Sequence, residues 1–256
     1  MYEKLFDLTG KTALVTGGSK GLGLAMARAY AEHGANIMIC SRNEDELKRA
    51  ATDIGQGVQG RVEWMQVDMA VRAESDALAE ETLKRFGRVD VLVNNAGSNS
   101  PQHAHPVNHH PCHRIVELNQ TSIMRLTRAL VPQMKERKWG RIIHISSVLG
   151  VGGKKDRTTY CSTKAALVGM VRAQALDLGP WNITVNCIAP GPFLTDLPGR
   201  LLNDEQKQYF ADRTALGRWG QTAEIAGPAL LLGTDAGSYI TGTTLLLDGG
   251  ALANIL

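Results

Sequence analysis

A glycine-rich turn between a short apolar run and a helix-like stretch restricts the fold of this chain more than any other feature. Residues 11–16, KTALVT, are rich in strand-forming types, and residues 24–33 have the composition of a helix that Gly34 ends. The turn between them, residues 17–23, reads GGSKGLG. Glycines allow the backbone to approach a pyrophosphate, and the free N–H groups at a helix start favour an anion. Strand, turn and helix in this order favour a dinucleotide-binding loop over a structural glycine turn, although the spacing is G-x-x-x-G-x-G.

The alternation of strands and helices continues along the chain. Further strands are predicted at residues 35–40, 61–67, 89–93, 140–146, 183–187 and 243–247. This order predicts an α/β protein with a single-domain Rossmann fold, in which a doubly wound, seven-stranded parallel sheet is covered by helices on both faces. The 256 residues suit one domain spanning residues 1–256. Ligand groups are expected at the carboxyl ends of the strands.

Charge and composition restrict the partners. The net charge is only +3, and the basic residues are scattered among acidic ones, so nucleic-acid binding is not indicated. No apolar stretch approaches the length of a membrane span, and the N-terminus lacks the apolar core of a signal peptide. The four cysteines form no C-x-x-C pair, which favours reduced thiols. We therefore expect a soluble, cytoplasmic protein that acts on small molecules and has no membrane partner.

Tyr160 and Lys164 lie four residues apart at the start of an apolar-periodic segment that runs to about residue 178. This spacing predicts that both side chains lie on one face of a helix, one turn apart. A nearby ammonium favours the phenolate, and a second positive charge, such as an oxidised nicotinamide ring, adds to the effect. Lowering the tyrosine pKa by about three units takes roughly 4 kcal/mol. Ser147, thirteen residues earlier, is expected to hold a substrate oxygen beside Tyr160. By itself the pattern is more typical of a solvated helix face, and the rest of the chain is needed to favour a catalytic pair.

The residues after the second strand bear on cofactor choice. An acidic side chain at this point binds the ribose hydroxyls of NAD, but Ser41 and Arg42 occupy the position here. Lys20 in the glycine turn is expected to face the same ribose. Two cations and a hydroxyl suit a 2′-phosphate, so we expect NADP, with NAD as the alternative. Asn43 and Glu46 have the spacing of a helix capping box, which accounts for the nearby acids.

Five of the seven histidines lie in residues 98–113, among three prolines. A metal site is one interpretation, because imidazole is a common ligand of zinc and nickel. The prolines argue against placing His109 and His113 on one helix face. We expect no metal and a loop-like rim, followed by a helix over residues 114–138 that contains the polar Asn119.

The motifs together resemble those of the short-chain dehydrogenase/reductase superfamily over nearly the whole chain. They are TGGSKGLG at 16–23, NNAG at 94–97, Asn119, Ser147, YCSTK at 160–164 and IAPG at 188–191. The resemblance implies that Tyr160 is the general acid/base and that Lys164 binds the nicotinamide ribose and lowers the tyrosine pKa. It further implies that Ser147 orients a carbonyl and that Asn119 anchors a water in a proton relay to Lys164.

The resemblance also assigns the dinucleotide contacts. Asp68 would contact the adenine, residues 94–97 the adjacent ribose and residues 190–195 the nicotinamide side. The full set is Gly17, Ser19, Lys20, Gly21, Leu22, Gly23, Ser41, Arg42, Asp68, Met69, Asn94, Ala96, Gly97, Tyr160, Lys164, Pro190, Gly191, Phe193 and Thr195. Lys20 and Arg42 match two basic positions that accompany NADP in this superfamily.

Residues 192–216 correspond to the variable substrate lid of the superfamily. Arg200, Lys207 and Arg213 within it either meet an acidic group or are solvated, and solvation is the expectation. A homotetramer is implied, with a dimer as the alternative. The expected activity is NADP-dependent hydride transfer between the nicotinamide and a carbonyl or secondary alcohol carbon, as in 3-oxoacyl-thioester reductases, gluconate 5-dehydrogenases or tropinone-type reductases. The alternatives are an NAD-dependent sugar-acid or polyol dehydrogenase and a non-catalytic, cofactor-binding regulatory protein.

Overall fold

A computed structural model describes residues 2–101, 104, 109–195 and 202–253, without the side chains of His109 and His110. The strands are β1 (Thr12–Thr16), β2 (Asn36–Ser41), β3 (Val62–Gln66), β4 (Val91–Asn94), β5 (Gly140–Ile145), β6 (Ile183–Pro190), β7 (Phe193–Leu194), β8 (Gly220–Gln221) and β9 (Thr244–Leu247). The helices that position the site are α1 (Gly21–Glu32), α2 (Glu44–Gly55), α3 (Arg72–Phe86), α4 (His109–Val116), α5 (Ser122–Arg137) and α6 (Thr158–Leu178). Two further helices are Asp204–Ala211 and Ala226–Gly233.

Seven strands form one parallel sheet in the order β3-β2-β1-β4-β5-β6-β9. The predicted single-domain Rossmann fold is therefore confirmed. The strand order reverses between β1 and β4, because β1 pairs with β2 on one side and with β4 on the other. A crevice opens outside the carboxyl ends of the strands at such a reversal, and ligands of doubly wound folds bind there. Thr16 ends β1 at this crevice, and Asn94 ends β4 there.

Apolar layers cover both faces of the sheet. Val15, Ile39 and Val93 belong to the layer that packs against α1 and α2, whereas Leu14 and Leu92 belong to the layer against α3, α5 and α6. Successive strand residues alternate between these layers because side chains point to opposite faces. Since helices cover both faces, the central strands read as continuous apolar runs in the sequence.

The histidine-rich segment differs from its prediction. Helix α4 begins at His109, five residues before the predicted start, and it contains both Pro111 and His113. The prolines were predicted to prevent His109 and His113 from sharing one helix face, and this was wrong, because both residues lie four positions apart in α4. Pro111 is the third residue of α4, in the first turn, where the N–H groups have no partner within the helix. A proline there removes no helical hydrogen bond.

A π-helical turn, Glu117–Thr121, interrupts the predicted long helix between α4 and α5. Asn119 is its middle residue and is fully buried. Single π-turns inside α-helices frequently mark functional sites. The turn therefore sets the direction of the Asn119 side chain toward the neighbouring helix α6.

None of the helices in the described part of the chain has the length and apolar character needed to cross a lipid bilayer. All four cysteines are free thiols, with Cys40 and Cys187 buried.

Candidate active site

Hydrogen bonds join the glycine turn to the residues that follow β4. The Asn95 side-chain amide donates to the carbonyl oxygens of Thr16, at 2.9 Å, and Gly17, at 3.1 Å. The Thr16 hydroxyl in return accepts from the backbone N–H groups of Asn95 and Ala96, both at 3.0 Å. A Cβ on Gly23 would lie 2.2 Å from the Gly17 carbonyl oxygen, so no side chain fits there. The sequence assignment missed Thr16 and Asn95, although each lies inside a quoted motif.

The start of α1 suits a pyrophosphate. Lys20 precedes the helix in an extended conformation, and no described side chain caps the first turn. The first N–H groups of α1 are thus left for an anionic ligand, in the positive field of the helix. Gly21 has φ +57°, and a Cβ there would lie 3.4 Å from Cγ2 of Thr195. The residues present therefore fit the phosphates of a dinucleotide, and Thr195 is brought to the glycine turn from a distant part of the chain.

The adenosine end of the crevice contains an unexpected acid. Lys20 Nζ lies 3.0 Å from one carboxylate oxygen of Glu46, and the Ser19 hydroxyl donates to the other at 3.3 Å. The hydrogen bond from Lys20 lowers the pKa of Glu46, so the carboxylate is ionised at neutral pH. Only half of the predicted capping box forms: the Asn43 side chain accepts from the Glu46 backbone N–H at 3.0 Å. The Glu46 side chain turns to the glycine loop instead.

Arg42 and Asp68 lie near each other at the ends of β2 and β3. Asp68 accepts a hydrogen bond from Arg114 at 2.6 Å and one from the backbone N–H of Ala70 at 3.0 Å. Partial burial raises the pKa of Asp68, but these hydrogen bonds and the charge of Arg42 outweigh burial, and the pKa is lowered. The Met69 side chain is buried in the core, so a contact from Met69 to a dinucleotide would come from its main chain.

The Asn94 side chain is buried against the neighbouring strand β5 rather than pointing into the crevice. Its buried side-chain amide donates to His144 Nδ1 at 3.1 Å, and His144 Nε2 donates to Gln174 at 2.9 Å. Burial lowers the pKa of His144 to about 4, so the imidazole is neutral. A ribose contact from Asn94 would therefore be made by its main chain. Gly97, three residues further on, is close to the catalytic groups: a Cβ there would lie 3.3 Å from both Asn119 Oδ1 and Lys164 Nζ.

Lys164 and Tyr160 lie one turn apart on α6, as the spacing predicts. Lys164 is buried, its Nζ donates to the carbonyl oxygen of Ile145 at 2.7 Å, and it lies 5.7 Å from the Tyr160 ring centroid. Burial lowers the pKa of Lys164 to about 8, so the ammonium is charged at neutral pH. The last residue of β5, Ile145, thus holds the ammonium of Lys164 near the tyrosine ring.

The side chains of the protein alone raise the pKa of Tyr160, and the predicted lowering, which included the charge of a nicotinamide ring, stays a prediction. Burial raises its pKa above the ordinary value, while a hydrogen bond from the Ser147 hydroxyl and the charge of Arg157 act in the opposite direction. The expected lowering by Lys164 is not produced by the side chains of the protein alone, because desolvation of the phenolate is the largest effect. The two side chains predicted to hold the substrate oxygen, Ser147 and Tyr160, nevertheless lie close enough for Ser147 to lower the pKa of the phenol.

Asn119 is fixed by neighbours that the sequence did not indicate. Its amide donates to the Ser98 carbonyl oxygen at 2.9 Å and to the Thr163 hydroxyl at 3.2 Å, and its Oδ1 accepts from the Ser98 N–H at 3.0 Å. Thr163 is adjacent to Lys164 on α6. Asn119 thus joins the π-turn to the strand end and to α6, and its role in a water relay stays a prediction.

The end of β6 forms the opposite wall. Pro190 ends β6, and the N–H of Gly191 donates to Leu247 of β9 at 2.9 Å. The Phe193 ring packs on Gly220 and is buried, so its side chain belongs to the β7–β8 pair. Residues 196–201 of the predicted lid, with Arg200, lie outside the described residues. The described part of the lid includes the helix Asp204–Ala211, which begins with a complete capping box of Asn203 and Gln206.

The metal interpretation falls mostly on residues that the structure does not describe. His103 and His105 lie outside the described residues, as do the side chains of His109 and His110. Within the described ranges, no three potential ligands among His, Cys, Asp and Glu converge on one point.

Fold and site together define a Rossmann-fold protein with a serine, tyrosine and lysine at the carboxyl edge of its sheet. The sequence model described as short chain dehydrogenase matches residues 11–206. The chain is 37% identical to the 3-oxoacyl-[acyl-carrier-protein] reductase FabG of Chlamydia muridarum over 243 residues, 95% of this chain and 98% of that protein. This chain belongs to the short-chain dehydrogenase family and is therefore an oxidoreductase by family.

Two solved structures show the same fold. One is a gluconate 5-dehydrogenase from Burkholderia cenocepacia J2315 in complex with NADP and tartrate, which matches with a TM-score of 0.92 and 31% identity over 100% of both chains. The other is a 3-oxoacyl (acyl-carrier-protein) reductase from Agrobacterium tumefaciens C58 with NADP bound, with a TM-score of 0.92 and 29% identity over 97% of each chain.

Proposed function

We propose that this protein is an NADP(H)-dependent oxidoreductase that transfers hydride between the nicotinamide and a carbonyl or secondary alcohol carbon, with Tyr160 as general acid/base. One observation carries the proposal: the Nζ of the buried, charged Lys164 lies 5.7 Å from the Tyr160 ring centroid, and Ser147 acts on the same phenol. These groups stand at the carboxyl ends of the strands, the same edge to which the glycine turn belongs. A proton donor, an oxygen-binding hydroxyl and a cation within one crevice suit reduction of a carbonyl.

Each side chain has a distinct task in this proposal. The nicotinamide, when bound, supplies or accepts the hydride. The Ser147 hydroxyl donates to the substrate oxygen and fixes it beside the phenol. Tyr160 gives its proton to the developing alkoxide in reduction and takes it back in oxidation. Lys164, held by the Ile145 carbonyl, stabilises the phenolate left behind, and Asn119 is proposed to anchor the water that returns the proton to Lys164.

NADP is the proposed cofactor. Arg42 supplies a guanidinium suited to a 2′-phosphate, and Lys20 supplies a second cation. The two solved relatives named above are described with NADP. The carboxylate of Glu46 beside Lys20 favours a second candidate, an NAD-dependent dehydrogenase of sugar acids or polyols, because an acid near the adenosine ribose accepts hydrogen bonds from its free hydroxyls.

The remaining proposals concern organisation. We propose one domain over residues 1–256, with residues 192–216 as the lid over a small substrate. The free thiols support a cytoplasmic location. Assembly into a homotetramer is proposed through α5 and α6. A purely regulatory, non-catalytic role is disfavoured, since Ser147, Tyr160 and Lys164 are all present.

Replacing Tyr160 by Phe tests the catalytic assignment. Tyr160→Phe keeps the ring but removes the hydroxyl, so kcat should fall by about a thousandfold while NADPH still binds. Turnover is followed by nicotinamide absorbance over a panel of ketones and secondary alcohols, and cofactor binding by titration calorimetry. Cys161→Ser, a change of the next residue on α6, is the control and should keep its activity. A Tyr160→Phe enzyme with ordinary turnover would refute the assignment.

A further inference from the structure

Three cationic side chains lie around the start of α6 and the helix Asp204–Ala211: Lys154, Arg157 and Arg213. Arg157 is the residue immediately before α6. Lys154 Nζ lies 4.4 Å from the ring centroid of Phe210, and the Arg213 guanidinium lies 4.0 Å from that of Tyr209. Both rings belong to the helix Asp204–Ala211 of the lid region. The loop before α6 is thus joined to this helix through the Lys154–Phe210 cation–π contact, whereas the Arg213–Tyr209 contact lies within the lid segment.

None of these three cations forms an ion pair with a carboxylate in the described part of the chain. Other basic side chains nearby do: Lys207 pairs with Asp204, and Arg218 pairs with Glu224. The hydrogen bond described for the Arg157 guanidinium goes to the main-chain carbonyl of Asp156, at 3.0 Å. Like charges that share a site repel each other, so three cations without a carboxylate partner among the described residues favour the binding of an anion.

The electrostatics tie the three side chains to one another. Burial lowers the pKa of Lys154, and the charges of Arg157 and Arg213 lower it further. The rings that contact Lys154 and Arg213 are adjacent in the sequence, and Arg157 is three residues from Lys154. The three cations therefore come from two segments of the chain that meet where Lys154 contacts Phe210. The aromatic rings beneath Lys154 and Arg213 restrict where these side chains point, and Phe210 is itself packed on Trp219 with ring centroids 5.4 Å apart.

The cluster also adjoins the reacting groups. Arg157 precedes Tyr160 by three residues, which corresponds to about 4.5 Å along a helix axis. The charge of Arg157 acts on the phenol, whose pKa it lowers. An anionic group held by these cations would therefore lie only a few carbon atoms from an oxygen bound by Ser147 and Tyr160.

We propose that Lys154, Arg157 and Arg213 form a subsite for the carboxylate of a short hydroxy acid or oxo acid, whose alcohol or carbonyl carbon lies at Tyr160. The proposal rests on the oxidoreductase function above. Guanidinium groups match a carboxylate with two parallel hydrogen bonds, and an ammonium adds a third donor. The subsite selects the acid over the corresponding neutral alcohol and fixes which carbon meets the nicotinamide.

Matched pairs of substrates test the subsite. Each acid is compared with the neutral compound in which a CH₂OH group replaces the carboxylate: D-gluconate with D-glucitol, 3-hydroxybutanoate with 1,3-butanediol, and 4-hydroxypentanoate with 1,4-pentanediol. With NADP⁺, kcat/KM for the best acid should exceed that of its neutral partner by at least about tenfold, the worth of one charge-assisted hydrogen bond. The dependence on chain length locates the anion relative to the reacting carbon.

Variants identify the residues that bind the anion. Arg157→Gln should reduce the preference for the acid to less than about threefold, chiefly through a higher KM for the acid. The ratio is the readout, because the lost charge also acts on the pKa of Tyr160, which serves the acid and its neutral partner alike. Arg157→Lys should keep part of the preference. Lys154→Gln and Arg213→Gln should each cause a smaller loss. Lys155→Gln, next to Lys154 and exposed, is the control and should leave the ratio unchanged.

Binding and turnover separate the two proposals. If no member of the panel is turned over with either cofactor, the proposed substrate class of the enzyme fails. Calorimetric titration of the same compounds into the protein with NADP⁺ still measures the affinity of the subsite for each acid and its neutral partner. Equal affinity for acids and neutral partners would overturn the subsite. The same conclusion would follow if Arg157→Gln left the preference for the acid intact.

Discussion

The carboxylate of Glu46 lies between the two groups of the glycine turn that face the adenosine end of the crevice. It contacts Ser19 and Lys20 at 3.3 and 3.0 Å, and its side chain is only 27% exposed. A 2′-phosphate bound beside Lys20 would meet this negative charge, whereas a free ribose hydroxyl would find an acceptor. Arg42 acts in the opposite sense from the end of β2. On the proposed cofactor assignment, the preference would therefore balance one acid against two bases.

Substitution of Glu46 and Arg42 should move the preference in opposite directions. Glu46→Gln removes the repulsion and releases Lys20, so kcat/KM for NADPH should rise relative to NADH by roughly fivefold. Arg42→Ala should weaken NADPH by about tenfold or more and change NADH little. Steady-state kinetics with both cofactors measures each ratio. Glu44→Gln, on the same helix but paired with Lys48, is the control. Parallel changes for both cofactors would show that neither residue faces the ribose.

Helix α6 contains Tyr160 and Lys164 near its start, and its C-terminal half forms a groove with α5. The groove has a volume of about 640 Å³ and lies between the C-terminal half of α6 and α5. It is lined by Thr121, Met124, Arg125, Thr127, Arg128, Val131, Pro132, Lys135, Gln174, Asp177 and Leu178. Gln174 also holds His144, so the groove is connected by hydrogen bonds to the strand next to Lys164. These helices are the ones through which tetramer assembly is proposed.

A charge placed in the groove should break the assembly. We expect the protein to sediment at the mass of a tetramer, and Val131→Asp to produce smaller species, because an unpaired carboxylate buried between apolar side chains is costly. Sedimentation equilibrium measures the mass of both. Val71→Asp, exposed before α3, is the control and should keep the tetramer. A wild-type protein that sediments as a monomer would contradict the proposed assembly.

At the scale of the whole molecule, the site depends on titratable side chains that are buried in the core, where such groups are rare. Lys164 is 4% exposed and His144 is fully buried, both in the layer between the sheet and α6. His144 is neutral, but Lys164 remains charged near neutral pH, because its pKa falls only to about 8. Desolvation of an ammonium in this layer lowers the stability of the folded state. Activity and stability therefore place opposite demands on Lys164.

Lys164→Met should abolish turnover and stabilise the fold. At about pH 7 the gain is expected near 2 kcal/mol, since the desolvation cost removed exceeds the hydrogen bond lost at Ile145. The folded pKa, about 8, lies below the ordinary 10.5, so the unfolded chain binds more protons between these values. Wild-type stability thus rises with pH through this window, and the difference should shrink by about pH 10. Urea denaturation at both pH values measures it, with Lys155→Met as control. A variant less stable than wild type at both pH values would contradict the expectation.

Local patterns in the chain were sufficient for most of the architecture. Strand and helix periods, the glycine turn and the four-residue spacing of Tyr160 and Lys164 depend on neighbours within a few residues, so they can be read directly. The seven strands, the parallel sheet and the shared helix face followed from them. The start of α4 at His109 was missed, because the position of Pro111 within a turn depends on where the helix begins.

What the sequence determined by itself was therefore the fold, the crevice and the identity of the residues gathered at its edge. The tertiary structure alone decided where Glu46 points, that Asn95 and Thr16 hydrogen-bond across the glycine turn, that burial raises the pKa of Tyr160, and that Lys154 contacts Phe210. These features depend on contacts between segments far apart in the chain and on the loss of water around them. Neither the contacts nor the desolvation leaves a periodic trace in the order of the residues.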